Sequence, residues 1–250
     1  MTQSLLTKSA FILCAGLGKR LRPYTDTVPK PMVRIDGRPI LDYTLDKLRT
    51  QGIENVTMNL NYLAEKIEQY FAKTIQPAIT FSKETSLLDT GGGVTHALHT
   101  IPNDVFYLIN GDALWTDAPQ QSALSRLSAQ WDSNVMDVLL LLQPVKNMHL
   151  THGVGDYDID ADGRAIRTPN KDGDYMFTGI RLTKKSLFDN YNQGDCFSYL
   201  EIMDQAQEKG RLYALIHDAD WHHISTPADL ERVNEHWGNH KILTSCGAIS

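Results

Sequence analysis

Apolar runs and amphipathic stretches alternate along the first half of the chain. Short, continuous apolar runs predict buried strands, and apolar residues at helical spacing predict helices between them. The predicted strands are 11–15, 53–59, 78–81, 105–109 and 135–142, and the predicted helices are 39–50, 62–72, 94–100 and 122–131. This alternation predicts an α/β fold, in which a mostly parallel but mixed central sheet carries helices on both faces.

The pattern changes in the second half of the chain. Strand-like runs at 154–160 and 165–167 flank the turn sequence Asp-Ala-Asp-Gly, which predicts a hairpin. The remaining predicted elements are a strand at 175–182, a helix at 197–209, a strand at 212–217 and a helix at 227–236. Thr226 is the expected N-cap of the last helix. Without repeats or a low-complexity linker, we expect one domain over 1–240 and a tail at 241–250.

Composition narrows the class of protein. The chain has 250 residues, of which 42% are hydrophobic and 22% charged, as in ordinary globular proteins. Its net charge of −6 argues against nucleic acid or a membrane surface as a partner. Cys14, Cys196 and Cys246 are widely spaced, which predicts free thiols in a reducing compartment and no metal site among them. With no 18-residue apolar window and no signal-peptide pattern, we expect a cytoplasmic enzyme.

The first predicted strand runs into a glycine loop that is followed by cations. In open α/β sheets, ligands bind beyond the carboxyl ends of the strands. Gly16 and Gly18 allow a sharp bend that brings N–H groups close to an anion, Arg20 can fork onto phosphate oxygens, and Lys30 can act as a point charge. The run is not a Walker loop, because no Gly-Lys-Ser/Thr follows at the required spacing, and it is not G-x-G-x-x-G, because Leu21 stands at the third glycine position. A solvated surface turn is the alternative.

The segment "LCAGLGKRLRPYTDTVPKP" resembles the signature loop of the sugar-1-phosphate nucleotidyltransferases. Members of that family share a Rossmann-like (GT-A-like) fold and make a nucleotide sugar from a nucleoside triphosphate and a sugar 1-phosphate, with release of pyrophosphate. The resemblance extends over nearly the whole chain. It implies that Arg20 and Lys30 are catalytic and that Ala15, Gly16 and Gly18 contact the nucleotide.

A carboxylate follows the buried strand of "FYLINGDALWTD". Asp112 is expected to face the same crevice as the glycine loop, and Mg²⁺ favours carboxylate oxygens together with bridging phosphates. An ordinary Asn-Gly-Asp turn is the alternative. The resemblance implies that Asp112 is catalytic and binds Mg²⁺, the expected cofactor.

Three consecutive glycines in "KETSLLDTGGGVTHAL" predict the close approach of something flat or bulky, with a loose helix entry as the alternative. In the family, this segment walls the nucleobase pocket. Its triple-glycine form, together with "INGDALWTD" and "FTGIRL", resembles the bacterial N-acetylmuramate-1-phosphate uridylyltransferase branch. The resemblance implies nucleotide contacts from Asn59, Glu84, Gly91 and Gly92, and sugar contacts from Asp117 and Gly179.

The segment "DADWHHISTPADL" departs from the family pattern Trp-x-Asp-x-Gly-Thr. His223 replaces an aspartate that is a second magnesium ligand in the family, and Ser225 replaces the glycine. Imidazole is a poor magnesium ligand, and adjacent His222 and His223 would point to opposite faces of a strand. We expect His223 to hydrogen-bond phosphate or water rather than to bind the metal, with Asp218 or Asp220 as an alternative second carboxylate.

These motifs imply nucleotidyl transfer to a sugar 1-phosphate. By resemblance, the favoured pair is UTP with N-acetylmuramic acid 1-phosphate, in a route that recycles cell-wall sugar. The alternatives are a mannose-1-phosphate guanylyltransferase or a glucose-1-phosphate nucleotidyltransferase. A nucleotide-sugar-binding protein that has lost catalysis also stays open, because His223 replaces the second carboxylate.

Overall fold

The computed structural model describes residues 6–246, with side chains up to residue 237. The helices are α1 (Ile40–Thr50), α2 (Ala64–Phe71), α3 (Asp89–Ala97), α4 (Ala123–Gln130), α5 (Tyr199–Glu208) and α6 (Pro227–Cys246). The strands are β1 (Ser9–Leu13), β2 (Arg34–Ile35), β3 (Arg38–Pro39), β4 (Asn55–Leu60), β5 (Ala78–Lys83), β6 (Val105–Asn110), β7 (Leu114–Trp115), β8 (Val138–Pro144), β9 (Tyr157–Ile159), β10 (Ala165–Arg167), β11 (Tyr175–Lys184), β12 (Leu212–Ile216) and β13 (Trp221–His222).

One large mixed sheet organises the chain. Its strands follow the order β5-β4-β1-β6-β11-β8-β12, and the β9–β10 hairpin joins β11 at Tyr175. The strand β11 runs antiparallel to both β6 and β8, whereas the other neighbouring pairs in this order are parallel. This arrangement confirms the predicted α/β fold with a mostly parallel, mixed sheet.

Helices cover both faces of the sheet. Adjacent residues of β1 belong to different cores, because successive side chains of a strand point to opposite faces. Ile12 packs in the core that contains α1, α2 and α4, and Phe11 packs in the core that contains α3 and α5. Every residue of β8 is buried, which explains why its sequence reads as a continuous apolar run.

The sequence misplaces several element ends. The helix α3 begins at Asp89, five residues before the predicted start, so Gly91–Gly93 lie inside the helix and not in a turn before it. The predicted tail begins at 241, yet α6 continues to Cys246, and 247–250 lie outside the described residues. The predicted cap of α6 is confirmed, because Asp229 N–H donates to Thr226 Oγ1 at 3.3 Å. Thr226 N–H in turn donates to the Asp229 carboxylate at 2.8 Å.

Two short strands bring the Trp-His-His segment to the front of the sheet. Strand β13 pairs with β7, so that Trp221 faces Trp115 and His222 faces Leu114. Ile224 then packs in a third core with Leu21 of the glycine loop. This small core ties the chain before α6 to the loop after β1, although the two are about two hundred residues apart in sequence.

Candidate functional site

A cavity of about 610 Å³ opens beyond the carboxyl ends of β1, β4 and β6. This is the edge at which α/β sheets bind ligands. Predicted site residues that line it are Ala15, Gly16, Gly18, Arg20, Lys30, Asn59, Glu84 and Asp112. The fold therefore brings together residues from four separate motifs.

The glycine loop is shaped by its own contacts. Gly18 has φ +60°, and a Cβ there would lie 3.0 Å from the Thr25 side chain and 3.1 Å from Lys30 Cβ, so this position requires glycine. The Gly18 carbonyl accepts hydrogen bonds from Thr25 Oγ1 at 2.8 Å and from Leu21 N–H at 3.0 Å. Gly16 differs, because a Cβ there would meet nothing within 4 Å. Its missing side chain leaves open space on the cavity side.

Lys30 and Asp112 form an ion pair inside the cavity, in which Lys30 Nζ donates to Asp112 Oδ2. Burial opposes ionisation of Asp112, but the charge and hydrogen bond of Lys30 outweigh it and keep the pKa of Asp112 below its ordinary value. Lys30 opens a 3₁₀ turn, Lys30–Met32, directly after Pro29. From this turn, the Lys30 side chain reaches Asp112 in the turn that follows β6.

Arg20 and Lys19 supply exposed positive charge at the same loop. Both line the cavity and belong to a 3₁₀ turn, Lys19–Leu21, whose third residue, Leu21, is fully buried. The buried leucine anchors the turn while the two cations stay in solvent. The loop can therefore offer a solvent-exposed guanidinium and an ammonium to an anion.

Asn59 and Glu84, which also line the cavity, form a buried chain of hydrogen bonds, called here the Asn59–Glu84 relay. Cys14 N–H donates to Asn59 Oδ1 at 2.9 Å, and Asn59 Nδ2 donates to Glu84 Oε1 at 2.7 Å. The second oxygen of Glu84 accepts from Leu88 N–H at 3.1 Å. The relay joins the start of the glycine loop to the residues before α3, so it holds the cavity's shape as well as lining it.

Gly91 and Gly92 lie beneath the chain's own 195–197 segment and do not line the cavity. Both N–H groups donate to the Phe197 carbonyl, at 2.9 and 3.1 Å. A Cβ on Gly91 would lie 2.3 Å from the Phe197 ring, and one on Gly92 would lie 2.1 Å from the Asp195 carbonyl oxygen. The flat group that the glycines admit is thus Phe197. Their predicted nucleotide contacts stay a prediction.

His223 lies within the electrostatic reach of the site, although it does not line the cavity. Burial lowers its pKa, Lys30 and Arg20 lower it further, and Asp112 opposes them. Its ring lies 5.7 Å from that of Trp221, whereas the His222 ring packs 5.6 Å from Trp237. The two histidines therefore point apart, as predicted for neighbours on a strand.

The other predicted polar residues have structural partners outside the cavity. Asp117 pairs with Lys47 and accepts a hydrogen bond from Ala123 N–H at 2.9 Å, at the start of α4. Asp218 pairs with Arg126 at 2.6 Å. Asp220 also lies off the cavity, where its N–H and carbonyl bond to Thr116. The predicted sugar contact of Asp117 stays a prediction.

Sequence reasoning missed several residues that line the cavity. They are Leu13, Cys14, Leu17, Lys19, Leu21, Pro31, Leu87, Asp89, Thr90, Asn110, Cys196 and Ser225. For Asn110 a signal was available, because it is a polar side chain at the end of a buried strand, directly before Gly111 and Asp112. Burial raises the pKa of the Cys14 thiol, so it stays protonated at neutral pH and serves as a packing group.

The described side chains suit a metal that arrives with its substrate. Within residues 6–237, no group of three or more histidine, cysteine, aspartate or glutamate side chains could hold a metal by itself. Magnesium commonly takes one or two carboxylates and completes its shell with substrate phosphates and water. The Asp112 carboxylate fits that role, and the Asp112–Lys30 pair faces the loop where phosphates would lie. The class of protein defined by this fold and site is an α/β enzyme that handles nucleotide phosphates.

Comparison with known proteins places the chain more closely. The family model described as Nucleotidyl transferase matches residues 9–240, and the chain belongs to that family. It is 30% identical over 226 residues to the N-acetylmuramate alpha-1-phosphate uridylyltransferase of Caulobacter vibrioides, which covers 88% of this chain and 93% of that protein. It is also 30% identical over 232 residues to the D-glycero-alpha-D-manno-heptose 1-phosphate guanylyltransferase of Aneurinibacillus thermoaerophilus, which covers 90% of this chain and 96% of that protein.

A solved structure supports the same placement. The crystal structure of HddC from Yersinia pseudotuberculosis, complexed with GMP-PN, matches with a TM-score of 0.70 and 26% identity over 92% of this chain and 99% of that one. Together these similarities support sugar-1-phosphate nucleotidyltransferase activity. Among the described residues, no helix is long and apolar enough to cross a membrane.

Proposed function

We propose that this enzyme transfers a uridylyl group from UTP to N-acetylmuramic acid 1-phosphate and releases pyrophosphate. The observation that carries the proposal is the 30% identity to an enzyme of that name across 88% of this chain. The triple-glycine segment and the "INGDALWTD" and "FTGIRL" motifs of this chain favour the same branch. The proposal includes a cytoplasmic role in recycling cell-wall sugar.

Catalysis in this site is positioning and charge neutralisation. An oxygen of the sugar phosphate attacks the α-phosphorus of the triphosphate, a new P–O bond forms, and the bond to the β-phosphate oxygen breaks as pyrophosphate leaves. The Gly16–Gly18 loop and Arg20 bind the triphosphate, and the open space at Gly16 lets the phosphates approach the backbone. No protein nucleophile takes part, so the rate depends on the orientation of the two substrates.

Lys30 and Asp112 are the charged side chains beside the reacting phosphates. Lys30 Nζ donates a hydrogen bond to Asp112 Oδ2, and the Asp112 carboxylate is the group that would hold a magnesium ion. When bound, a magnesium ion held by Asp112 and the substrate phosphates would neutralise the charge that develops on the phosphate oxygens. Lys30 then exchanges its carboxylate partner for a phosphate oxygen. His223 stands behind this pair as a neutral hydrogen-bonding group, consistent with its lowered pKa.

A second candidate is guanylyl transfer to a heptose 1-phosphate. The heptose 1-phosphate guanylyltransferase relative is as similar as the uridylyltransferase, and the HddC structure adds a second protein, complexed with GMP-PN. The same cradle serves either nucleotide, because phosphates and metal are common to both. The two candidates differ in the base read near Asn59 and Glu84 and in the acceptor.

The decisive experiment measures pyrophosphate release by the purified chain with Mg²⁺ and each of UTP, GTP, CTP, dTTP and ATP. Each nucleotide is paired with N-acetylmuramic acid, heptose, mannose and glucose 1-phosphates. Turnover with UTP and the muramyl phosphate alone is the expected result. Turnover with GTP and the heptose phosphate supports the second candidate and overturns the first. Silence from a folded protein in every pair overturns nucleotidyl transfer and favours a binding protein.

A further inference from the structure

A second cavity, called here the α6 cavity, lies between the segment 24–34, helix α2 and helix α6. Its volume is about 620 Å³, as large as the cavity at the strand ends and within the range of small-molecule sites. Among the described residues, none lines both cavities. The α6 cavity is therefore a separate site, which the nucleotidyl transfer reaction leaves unused.

One wall of the α6 cavity is apolar and preformed. It consists of Val28, Met32, Val33 and Leu230. Met32, Val33 and Leu230 are at most 8% exposed, because they also belong to the hydrophobic cores behind the wall, and Val28 packs against the same cores. The wall is thus held in place by the fold, and it can receive the apolar body of a ligand.

Charged side chains of both signs surround this wall. Arg34 and Lys66 are cationic, and Glu231 and Glu235 are anionic. Lys66 extends from α2, whereas both glutamates extend from α6, so the two signs approach the cavity from different elements. A phosphate or another simple anion would meet two carboxylates here. Two charges of each sign instead complement a ligand that carries both an anionic and a cationic group.

Lys66 and Glu235 are the charges that remain available to such a ligand. Glu231 already accepts a hydrogen bond from Tyr24 Oη at 3.3 Å. Within the part of the chain that the structure describes, no ion pair or side-chain hydrogen bond engages Lys66 Nζ or the Glu235 carboxylate. Lys66 is exposed and Glu235 is half-buried, so each can exchange water for a ligand group without losing a protein partner.

The apolar wall also includes residues on both sides of the catalytic lysine. Val28 precedes Lys30 by two residues, and Met32 ends the Lys30–Met32 turn from which Lys30 reaches Asp112. A ligand packed on Val28 and Met32 restrains this turn. In the proposed reaction Lys30 exchanges Asp112 for a phosphate oxygen, so a restrained turn opposes nucleotide binding.

We propose that the α6 cavity binds a zwitterion with an apolar body, which is an apolar amino acid or a short peptide, and that this ligand weakens nucleotide binding through the turn at Lys30. The ligand carboxylate pairs with Lys66 and its ammonium pairs with Glu235. Solvent-exposed ion pairs contribute little by themselves, so burial of the apolar body supplies much of the affinity. Only the effect on the nucleotide rests on the proposed function.

The first test measures binding in the absence of substrates. The melting temperature of the purified chain is recorded with the dipeptide Leu-Ala and with free leucine. N-acetyl-Leu-Ala, which lacks the ammonium, and Leu-Ala amide, which lacks the carboxylate, are the matched controls. We expect a rise of about 2 °C or more at about 10 mM of at least one zwitterion, and less than about half of it with either control. A larger rise with one zwitterion identifies the peptide or the free amino acid as the source.

No rise with either zwitterion, or an equal rise with the blocked compounds, overturns the proposal. Lys66→Gln and Glu235→Gln then locate the ligand, because each should remove at least about half of the rise. Lys73→Gln and Glu208→Gln are the matched controls, since both residues are exposed and line neither cavity. A full rise in both site variants places the ligand elsewhere and overturns the assignment.

Steady-state kinetics test the effect on the nucleotide. With the substrate pair that turns over, the saturating zwitterion is expected to raise the KM for the nucleoside triphosphate about fivefold, and to leave the KM for the sugar 1-phosphate within about twofold. Lys66→Gln should lose this response. Binding with an unchanged nucleotide KM overturns the link to Lys30. If no substrate pair turns over, the proposed function fails, whereas the melting-temperature series still decides whether the α6 cavity binds a zwitterion.

Discussion

At the scale of single residues, Gly16 and Gly18 of the glycine loop differ in whether the backbone requires glycine. Gly18 is required by the backbone, because its φ is +60° and a Cβ would press on Thr25. Gly16 meets no such constraint, and its Cβ would point into open space. Because glycine at this position costs backbone entropy without a structural need, we expect a ligand to come close to Gly16.

The change Gly16→Ala is therefore expected to spare the fold and impair the site. We expect its melting temperature within about a degree of the unmodified protein and a KM for the nucleoside triphosphate raised about tenfold, because the methyl group keeps phosphate from the backbone. Steady-state kinetics and thermal unfolding measure the two effects. Gly18→Ala is the contrast and should lose about 1 kcal/mol of unfolding free energy through backbone strain. Unchanged nucleotide KM in Gly16→Ala would exclude close approach of phosphate at this position.

Lys30 and Asp112 form the charged centre of the site. Lys30→Ala and Asp112→Ala are each expected to lower kcat by about 10²-fold or more, since each removes a preorganised charge from the reacting phosphates. Circular dichroism should show a folded chain in both. Lys8→Ala is the matched control, because Lys8 also pairs with a carboxylate, Glu54, but is exposed at the opposite edge of the sheet. Full turnover in either site variant would contradict the assignment.

At the scale of the elements, an ion-pair cluster of Asp137, Lys184 and Arg211, called here the charged clamp, links the ends of strands β8, β11 and β12. Asp137 Oδ1 accepts from Lys184 Nζ at 2.8 Å and from Arg211 Nε at 2.9 Å, at the end of β11 and just before β12. The Asp137 side chain is 12% exposed. Burial opposes its ionisation, but the two cations outweigh burial and hold the pKa of Asp137 below its ordinary value. The clamp aligns β8 with both of its neighbours.

The change Asp137→Asn is expected to cost about 2 kcal/mol of unfolding free energy at neutral pH, because it leaves two partly buried cations unpaired. A lowered folded pKa means that the stabilisation is complete above the unfolded pKa of about 4 and is lost as pH falls through the folded value. Denaturant unfolding at several pH values should thus show that the difference in unfolding free energy between Asp137→Asn and the unmodified protein becomes smaller below about pH 4. Asp162→Asn, at an exposed pair with Arg164, should cost less than about 0.5 kcal/mol. A difference in unfolding free energy that does not change with pH would contradict a stabilising role for the ionised Asp137.

At the scale of the whole molecule, we expect the proposed magnesium ion to bind with the substrate and not to the folded chain alone. Residues 6–237 offer no three-ligand cluster of metal-binding side chains, and Asp112 is engaged by Lys30. We therefore expect EDTA to abolish pyrophosphate release while leaving the melting temperature unchanged. Mg²⁺ alone should change the melting temperature little, whereas UTP with Mg²⁺ should raise it above the value with UTP alone. A lower melting temperature in EDTA would instead reveal a structural metal.

The order of the main helices and strands could be predicted, because the spacing of apolar residues along the chain indicates each of them. Buried strands such as β8 read as continuous apolar runs, and amphipathic helices such as α1 show their buried stripe. The helix α3 could not be placed, because Gly91–Gly93 have poor helix propensity and favour a turn. Contacts with distant residues decide their place in the helix. The Phe197 carbonyl accepts the N–H groups of Gly91 and Gly92, and the Phe197 ring packs on Gly91. Gly93 lies instead against the Asn59 and Glu84 side chains.

The sequence by itself determined the α/β class and the position of the glycine loop with Arg20 and Lys30, and of the carboxylate Asp112, beyond strand ends, because motif and strand position are local properties. Only the tertiary structure decided which residues meet. In the folded chain, Lys30 forms an ion pair with Asp112, and Lys47 forms one with Asp117. Asn59 donates a hydrogen bond to Glu84, and Arg181 donates one to Asn110. Such partners come from distant strands, so their contacts depend on the sheet's strand order, which local periodicity does not encode.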